Sequence, residues 1–357
     1  MATTFHKIKV KDIRRTTKDC SVVTFDIPAE LQEEFKYNQG QHLTLKAIIN
    51  GEDIRRSYSL CSSPLDDEWK VAVKKIEDGR FSSFVNDKLK VGDEMEVMAP
   101  MGRFFQEISN TRKDYVAFAA GSGITPMHSI IKTHLTKEPE STFKLFYVNR
   151  TIQSIILKEE VEALKNQFMG RFELYHFLTR EERDADLFNG RLTEDKMRSI
   201  GELLVDYKAV DDFFICGPAD MIFMIRDFLQ GVGVDKEKIH FELFGTPEKQ
   251  KQAKKTKKSS ENNDDISDVS IINNGVKTSF KMAMDGDNIL DAALANNADL
   301  PFACKGGVCC TCRAKLIEGE VEMEVNYALE PDEVENNYIL TCQAIPKTDK
   351  ILVDFDS

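Results

Sequence analysis

The feature that most constrains this chain is Cys304-x4-Cys309-x2-Cys312, followed by a lone Cys342 within Leu340-Thr341-Cys342-Gln343-Ala344. A 2Fe-2S cluster needs four thiolates, two for each iron, and this spacing lets one tight loop supply three of them. The loop Pro301-Phe302-Ala303-Cys304-Lys305-Gly306-Gly307-Val308-Cys309-Cys310-Thr311-Cys312 carries two glycines, which permit a tight turn and leave backbone amides free to point at sulfur. Cys310 falls outside the spacing and reads as a bystander thiol. A structural zinc site and a disulfide pair are the competing readings. The x4 gap with a single distant fourth ligand weakens zinc, and the absence of an export signal weakens disulfides.

Around these cysteines, from about Asp268 to Ser357, the chain resembles plant-type ferredoxins. Asp285-Gly286-Asp287-Asn288-Ile289-Leu290-Asp291-Ala292-Ala293 looks like the family's helix start, and Ala328-Leu329-Glu330-Pro331-Asp332-Glu333-Val334 precedes Tyr338-Ile339-Leu340-Thr341-Cys342 as it does there. The resemblance implies a small α+β domain of β-grasp fold with the cluster near its surface. That accounts for residues 268–357 only.

A chain of 357 residues exceeds one typical core and implies two or three domains. With 41% hydrophobic and 30% charged residues it has the composition of a soluble globular protein. The first ten residues, Met1-Ala2-Thr3-Thr4-Phe5-His6-Lys7-Ile8-Lys9-Val10, hold no apolar core of signal-peptide length, and no window approaches a membrane span of ~18 apolar residues. A cytoplasmic location without membrane partners is therefore expected, with Cys20, Cys61, Cys216 and Cys310 as free thiols. The net charge of -12 argues against nucleic acid, whose phosphates require a basic footprint. Residues 268–357 carry 16 Asp and Glu against 7 Lys and Arg. Such a face can steer a basic partner toward the cluster, or it can simply keep the protein soluble.

Residues 247–267 contain no apolar run able to bury a core, and a flexible linker is expected there. Before it, residues 109–246 alternate in the βαβ manner. Asp114-Tyr115-Val116-Ala117-Phe118-Ala119-Ala120 reads as a buried strand running into Gly121-Ser122-Gly123-Ile124-Thr125-Pro126 and then a helix from Met127 to Leu135. Strand, glycine turn and helix start in that order form a phosphate cradle, because bare amides and the helix dipole face the anion. Further strands are expected at residues 143–148, 172–178, 212–216 and 239–244, giving a doubly wound parallel α/β sheet. Ile215-Cys216-Gly217-Pro218-Ala219 is another strand end opening onto a helix, with Pro218 read at an early helical position.

Residues 1–108 show short alternating stretches at 21–27, 42–45 and 69–76 broken by turns, the pattern of a small antiparallel β-barrel. Within it lie Arg56-Ser57-Tyr58-Ser59, then Gly79-Arg80-Phe81-Ser82. Arg-x-Tyr-Ser, the Gly-x-x-Ser segment, Gly-Ser-Gly-Ile-Thr-Pro and Cys-Gly-Pro, in that order, resemble the ferredoxin-NADP reductase superfamily across residues 1–246. With the C-terminal ferredoxin, the whole chain resembles reductase components of bacterial multicomponent oxygenases, most closely those serving phenylacetyl-CoA epoxidases.

That resemblance implies roles residue by residue. Arg56 would pair with a flavin phosphate, Tyr58 pack on the isoalloxazine and Ser59 hydrogen-bond near its reactive nitrogen. Gly79, Arg80, Phe81 and Ser82 would cover the flavin pyrophosphate, with FAD implied over FMN. Gly121 to Pro126 would hold the nicotinamide dinucleotide, and Cys216, Gly217 and Pro218 would flank its ring. Glu242 and Phe244 fall where the family ends its reductase module near the flavin; Ser59, Cys216 and Glu242 are thus the candidate catalytic residues. Taken singly, Tyr58 could be a barrel aromatic, Arg56 a surface charge and Cys216 a core thiol.

A nicotinamide delivers two electrons at once and a 2Fe-2S cluster accepts one, so a flavin between them reconciles the two. The expected route runs from NAD(P)H through flavin and cluster to an oxygenase component, a di-iron one by resemblance. A ring-hydroxylating dioxygenase, a desaturase or a hybrid-cluster protein is the alternative acceptor, and a non-catalytic redox sensor the alternative class. Arg150 and Arg180 stand just beyond the second and third strands of the α/β domain, and NADPH is expected because two arginines could converge on a 2'-phosphate. Glu181, Glu182 and Asp184 follow Arg180 and could neutralise it, which would leave NADH.

Overall fold

The computed structural model describes residues 4–244 and 266–357. Its packing divides into two compact units, the first built from His6–Ile54 and Tyr58–Phe244 and the second around the C-terminal domain.

The described chain opens with strands β1 (Phe5–Thr17), β2 (Cys20–Asp26), β3 (His42–Ile49), β4 (Glu52–Ser59), β5 (Trp69–Lys74) and β6 (Glu94–Met101), most of whose residues belong to the first unit. They form one six-stranded sheet in the order β4-β3-β6-β1-β2-β5. The two edge strands meet: Leu60, one residue past β4, bridges Val71 in β5, and the Cys61 amide donates to the Lys70 carbonyl at 2.8 Å. The sheet thereby closes into a barrel, which removes its exposed edges. Alternation fills the interior with Ile8, Val10, Val23, Phe25, Leu43, Leu45, Val71, Val73 and Val97, all buried. Helix α1 (Arg80–Asp87) lies within this domain and sends Phe81 and Val85 into the same core.

The chain continues into β7 (Asp114–Ala120), α2 (Ile124–Lys137), β8 (Thr142–Asn149), α3 (Lys158–Gln167), β9 (Phe172–Leu178), α4 (Glu194–Leu203), β10 (Asp212–Gly217), α5 (Ala219–Gly231) and β11 (Ile239–Leu243). The strands pair in parallel in the order β11-β10-β7-β8-β9. The central strands β7 and β10 are buried on both faces and read as continuous apolar runs rather than alternating ones. The order reverses at β7, so a crevice opens at the carboxyl end of that strand, where Gly121 follows. Barrel and α/β domain share one core, in which Cys20, Val22, Cys61, Ala72 and Phe104 pack with Ile124, Met127, Ile130 and Phe214. Pro218 precedes α5 in an extended conformation instead of lying inside it, so the helix starts one residue later than its proline suggested.

The second unit contains β12 (Ile266–Asn273), β13 (Val276–Ala283), α6 (Ile289–Ala295), β14 (Arg313–Glu318), β15 (Val321–Met323), α7 (Pro331–Glu335), β16 (Tyr338–Leu340), β17 (Ala344–Pro346) and β18 (Lys350–Asp354). Five strands form a mixed sheet, β13-β12-β18-β14-β16, in which β12 and β18 run parallel. Asn288 caps α6 by accepting the Asp291 amide at 2.9 Å. Ile289, Leu290 and Ala293 on that helix are buried with Val269, Ile271, Ile351 and Val353 of the sheet, a helix laid across a sheet as in a β-grasp domain. The expected linker, 247–267, lies outside the described residues as far as residue 265, and its last two residues belong to β12.

Candidate functional site

In the first unit, Ser59 ends β4 and is buried, and its Oγ donates to Glu242 Oε2 at 3.0 Å. Glu242 on β11 stands in register with Cys216 on β10, which pairs in turn with Ala119 on β7. The three candidate catalytic residues, distant in sequence, are thus gathered at the carboxyl edge of the sheet. Burial pushes the Glu242 carboxyl up to about 7, against the Ser59 hydrogen bond that favours its ionised form. Burial, reinforced by Glu242, likewise raises the Cys216 thiol well above the ordinary range. The Ser59–Glu242 pair can hold or release a proton near neutral pH, whereas Cys216 stays a neutral thiol.

The turn after β7 is fitted to the same edge. Gly121–Gly123 form a single 3-10 turn that leads into α2, with Thr125 and Pro126 in its first helical turn. Gly123 is fixed by contact: a Cβ there would stand 2.1 Å from the Cys216 carbonyl oxygen. Absence of a side chain lets the α2 N-terminus close on the end of β10, as a dinucleotide cradle requires. No side chain caps that N-terminus. Asn149, at the end of β8, is buried and its side chain interacts with Tyr147. An uncapped helix start at this edge fits a polar, anionic cofactor.

The barrel residues divide. Tyr58 is half-buried with its ring 5.9 Å from that of Phe81, and Phe81 itself is a core residue beneath it. Ser82 Oγ accepts the Ile76 amide at 3.2 Å and donates to the Gly79 carbonyl at 3.3 Å, closing the turn that starts α1. Gly79 provides no side-chain cap, so the first amides of α1 also face outward. Arg80 pairs with Glu52 at 2.7 Å and the Ile49 carbonyl at 3.1 Å. Arg56 is exposed, its guanidinium donating to the Arg55 carbonyl at 2.7 Å. Phe244, just past β11, is 42% exposed.

Arg150 and Arg180 are neighbours: the Arg180 amide donates to the Arg150 carbonyl at 2.8 Å, continuing the β8–β9 pairing beyond both strands. Both are exposed, and neither forms an ion pair among the described residues. Glu181 accepts the Ile152 amide at 2.9 Å.

In the second unit, Cys304 lies within hydrogen-bonding reach of Cys309 and Cys342, and Cys342 reaches Cys312 as well. These contacts hold the Cys304 thiol far below the ordinary range and drive Cys309 and Cys342 above it. The Gly306 amide donates to Cys304 Sγ at 3.3 Å. Thr341 fastens the fourth cysteine to the loop, its Oγ1 donating to the Cys312 carbonyl at 3.0 Å. Among the described residues no three His, Cys, Asp or Glu side chains converge as ligands of a single metal ion. Four thiols in successive contact supply the donor set that a 2Fe-2S cluster takes, and the residues fit one. Cys310 turns away, its thiol donating to the Ala328 carbonyl at 3.2 Å.

Comparison with known proteins gives three family matches: the oxidoreductase FAD-binding domain over residues 7–106, the oxidoreductase NAD-binding domain over 118–227 and the 2Fe-2S iron-sulfur cluster binding domain over 271–347. The chain is 43% identical to a component of the 1,2-phenylacetyl-CoA epoxidase of Escherichia coli (strain K12), covering 99% of each chain. It is 32% identical to the ferredoxin reductase component of 3-ketosteroid-9-alpha-monooxygenase of Rhodococcus rhodochrous, over 98% of this chain and 96% of that one. Among solved structures, phthalate dioxygenase reductase matches with a TM-score of 0.59 at 23% identity, covering 98% of both chains, a likeness of fold. No helix among the described residues is long and apolar enough to cross a membrane.

Proposed function

The chain belongs to the flavin and iron-sulfur oxidoreductases that serve as reductase components of multicomponent oxygenases, and from that membership we propose that it supplies electrons from NAD(P)H to an oxygenase acting on phenylacetyl-CoA. The observation that carries the substrate is the 43% identity over 99% of both chains to the epoxidase component. The acceptor on this reading is a di-iron component. Bound together, FAD, nicotinamide and the 2Fe-2S cluster convert a two-electron donor into a one-electron supply.

The chain's own residues orient and exclude. Arg56 and the α1 N-terminus hold the flavin phosphates, and Tyr58 covers its ring. Gly121 to Pro126 take the dinucleotide, while Cys216, Gly217 and Pro218 shape the place of the nicotinamide ring. Ser59 and Glu242 hold a proton between Oγ and Oε2 at the same edge. Phe244 shields the flavin from water. Cys304, Cys309, Cys312 and Cys342 ligate the irons.

Reconstitution tests this reading. The purified protein should drive NAD(P)H-dependent epoxidation of phenylacetyl-CoA when combined with the catalytic subunits of a phenylacetyl-CoA epoxidase. Brisk cytochrome c reduction without any epoxide would transfer the protein to another oxygenase, as with the 3-ketosteroid monooxygenase relative.

A further inference from the structure

We infer that the side-chain amide of Gln343 donates a hydrogen bond to the sulfur of Cys342 and thereby raises the reduction potential of the cluster, an inference resting on the four cysteines holding one. Gln343 sits between β16 and β17 and is buried. Its Nε2 lies 2.8 Å from the Cys342 carbonyl, 3.3 Å from the Lys305 carbonyl and 3.4 Å from Cys342 Sγ. Two carbonyls can only accept, so the nitrogen end of the amide must face them; its two N–H groups meet three acceptors, and the sulfur therefore shares one of them with a carbonyl. The orientation is locked from behind. The Gln343 backbone amide donates to the Leu340 carbonyl at 2.8 Å, its own carbonyl accepts from the Glu324 amide at 3.0 Å, and a Cβ on Gly307 would come within 3.1 Å of its Cγ.

The contact to Lys305 adds meaning, because Lys305 follows Cys304 directly. One side chain thus bridges the three-cysteine loop and the fourth ligand. Reduction adds a negative charge that the ligand sulfurs share, and a donor aimed at sulfur stabilises the reduced state more than the oxidised one. The Gly306 amide does the same for Cys304 from the backbone. Gln343 does so through a replaceable side chain.

The test uses the full-length holoprotein. Gln343→Met keeps the length and removes the donor, so in an EPR-monitored titration the cluster should be about tenfold harder to reduce, which for one electron is about 59 mV more negative. Gln343→Glu, which offers only acceptors and a charge, should fall further, while the flavin potential stays in place. Gln343 is the only glutamine in residues 266–357. Side-chain 15N-glutamine labelling of the wild type should therefore give a nitrogen coupling to the reduced cluster in pulsed EPR. A fully loaded Gln343→Met protein with unaltered potential overturns the inference, as does a labelled wild type without coupling. If Gln343→Met cannot hold its cluster, the labelled wild type decides. A wild type that shows no cluster signal overturns both this inference and the ligand assignment.

Discussion

Ser59 Oγ and Glu242 Oε2 lie 3.0 Å apart, joining the last residue of β4 to the fourth residue of β11. The carboxyl is pushed up to about 7 by burial, so its neutral form is the one that folding favours. For an acid whose pKa rises on folding, the stabilisation is complete below the unfolded value and is lost as pH climbs through the folded one. Wild-type stability should therefore decline between about pH 4.5 and 7 through this group. Glu242→Gln removes the decline. Thermal denaturation should show the variant equal to wild type near pH 4 and more stable at pH 8, by on the order of 1 to 3 kcal/mol. Equal curves at both values would place the Glu242 pKa in the ordinary range. Ser59→Ala withdraws the bond that favours the carboxylate, so the pH midpoint for flavin reduction by NAD(P)H should move upward.

The cysteine assignment predicts four losses and one survival. Serine at Cys304, Cys309, Cys312 or Cys342 should abolish or cripple the cluster's visible absorption, while Cys310→Ser should preserve it, since that thiol faces the Ala328 carbonyl. Each cluster-free protein should still reduce ferricyanide from NAD(P)H through the flavin but fail with cytochrome c. Cluster loss on replacing Cys310, with retention on replacing Cys309, would reverse the ligand set.

Gly123 offers a steric prediction. A methyl group 2.1 Å from the Cys216 carbonyl oxygen cannot be accommodated without moving α2 or β10, and overpacking of this kind costs roughly 1 to 3 kcal/mol. Gly123→Ala should lower the melting temperature and weaken nicotinamide coenzyme binding while leaving the cluster absorption intact. Unchanged coenzyme affinity, measured by titration calorimetry, would detach this turn from the nucleotide site.

What the sequence disclosed and what it hid follow from the range of the interactions. The 2Fe-2S domain was legible because three cysteines of its loop and their glycines are local. The central strands of the parallel sheet were legible because burial on both faces leaves unbroken apolar runs such as Tyr115-Val116-Ala117-Phe118-Ala119-Ala120. Helix α1 was not, since eight residues with Phe81 and Val85 facing inward do not distinguish a short helix from a turn. The Ser59–Glu242 bond joins residues 183 positions apart, and family resemblance could place each of them but not their contact. Phe81 proved to be a core residue because its ring lies on the inner face of α1, while the backbone of the same segment forms the outward helix start.

Arg56 is proposed to make a charge-assisted contact with a flavin phosphate, an interaction worth about 1.5 to 3 kcal/mol. Its guanidinium is exposed and already oriented by the Arg55 carbonyl at 2.7 Å. Arg56→Ala should therefore weaken flavin retention by roughly ten- to a hundredfold. A variant that keeps its full yellow complement on extensive dilution would remove the phosphate role.

Coenzyme choice rests on Arg150 and Arg180. Discrimination for NADPH requires cations at the 2'-phosphate, whereas NADH binding leans on an acidic group at the ribose. The backbone bond of 2.8 Å between these residues puts the two arginines side by side at adjacent strand ends. Glu181, Glu182 and Asp184 are the residues that could neutralise Arg180; Glu181 accepts the Ile152 amide, and none of the three forms an ion pair with either arginine among the described residues. Both arginines are exposed and form no ion pair among the described residues, and on the proposal that they meet one 2'-phosphate NADPH should be preferred. Each charge-assisted contact contributes about 1.5 to 3 kcal/mol, so Arg150→Ala and Arg180→Ala should each raise the KM for NADPH roughly tenfold or more with little change for NADH. Steady-state kinetics with both coenzymes and three proteins decides the matter. A wild-type preference for NADH, or equal losses with both coenzymes, would make the arginines ordinary surface charges and leave the electron route untouched.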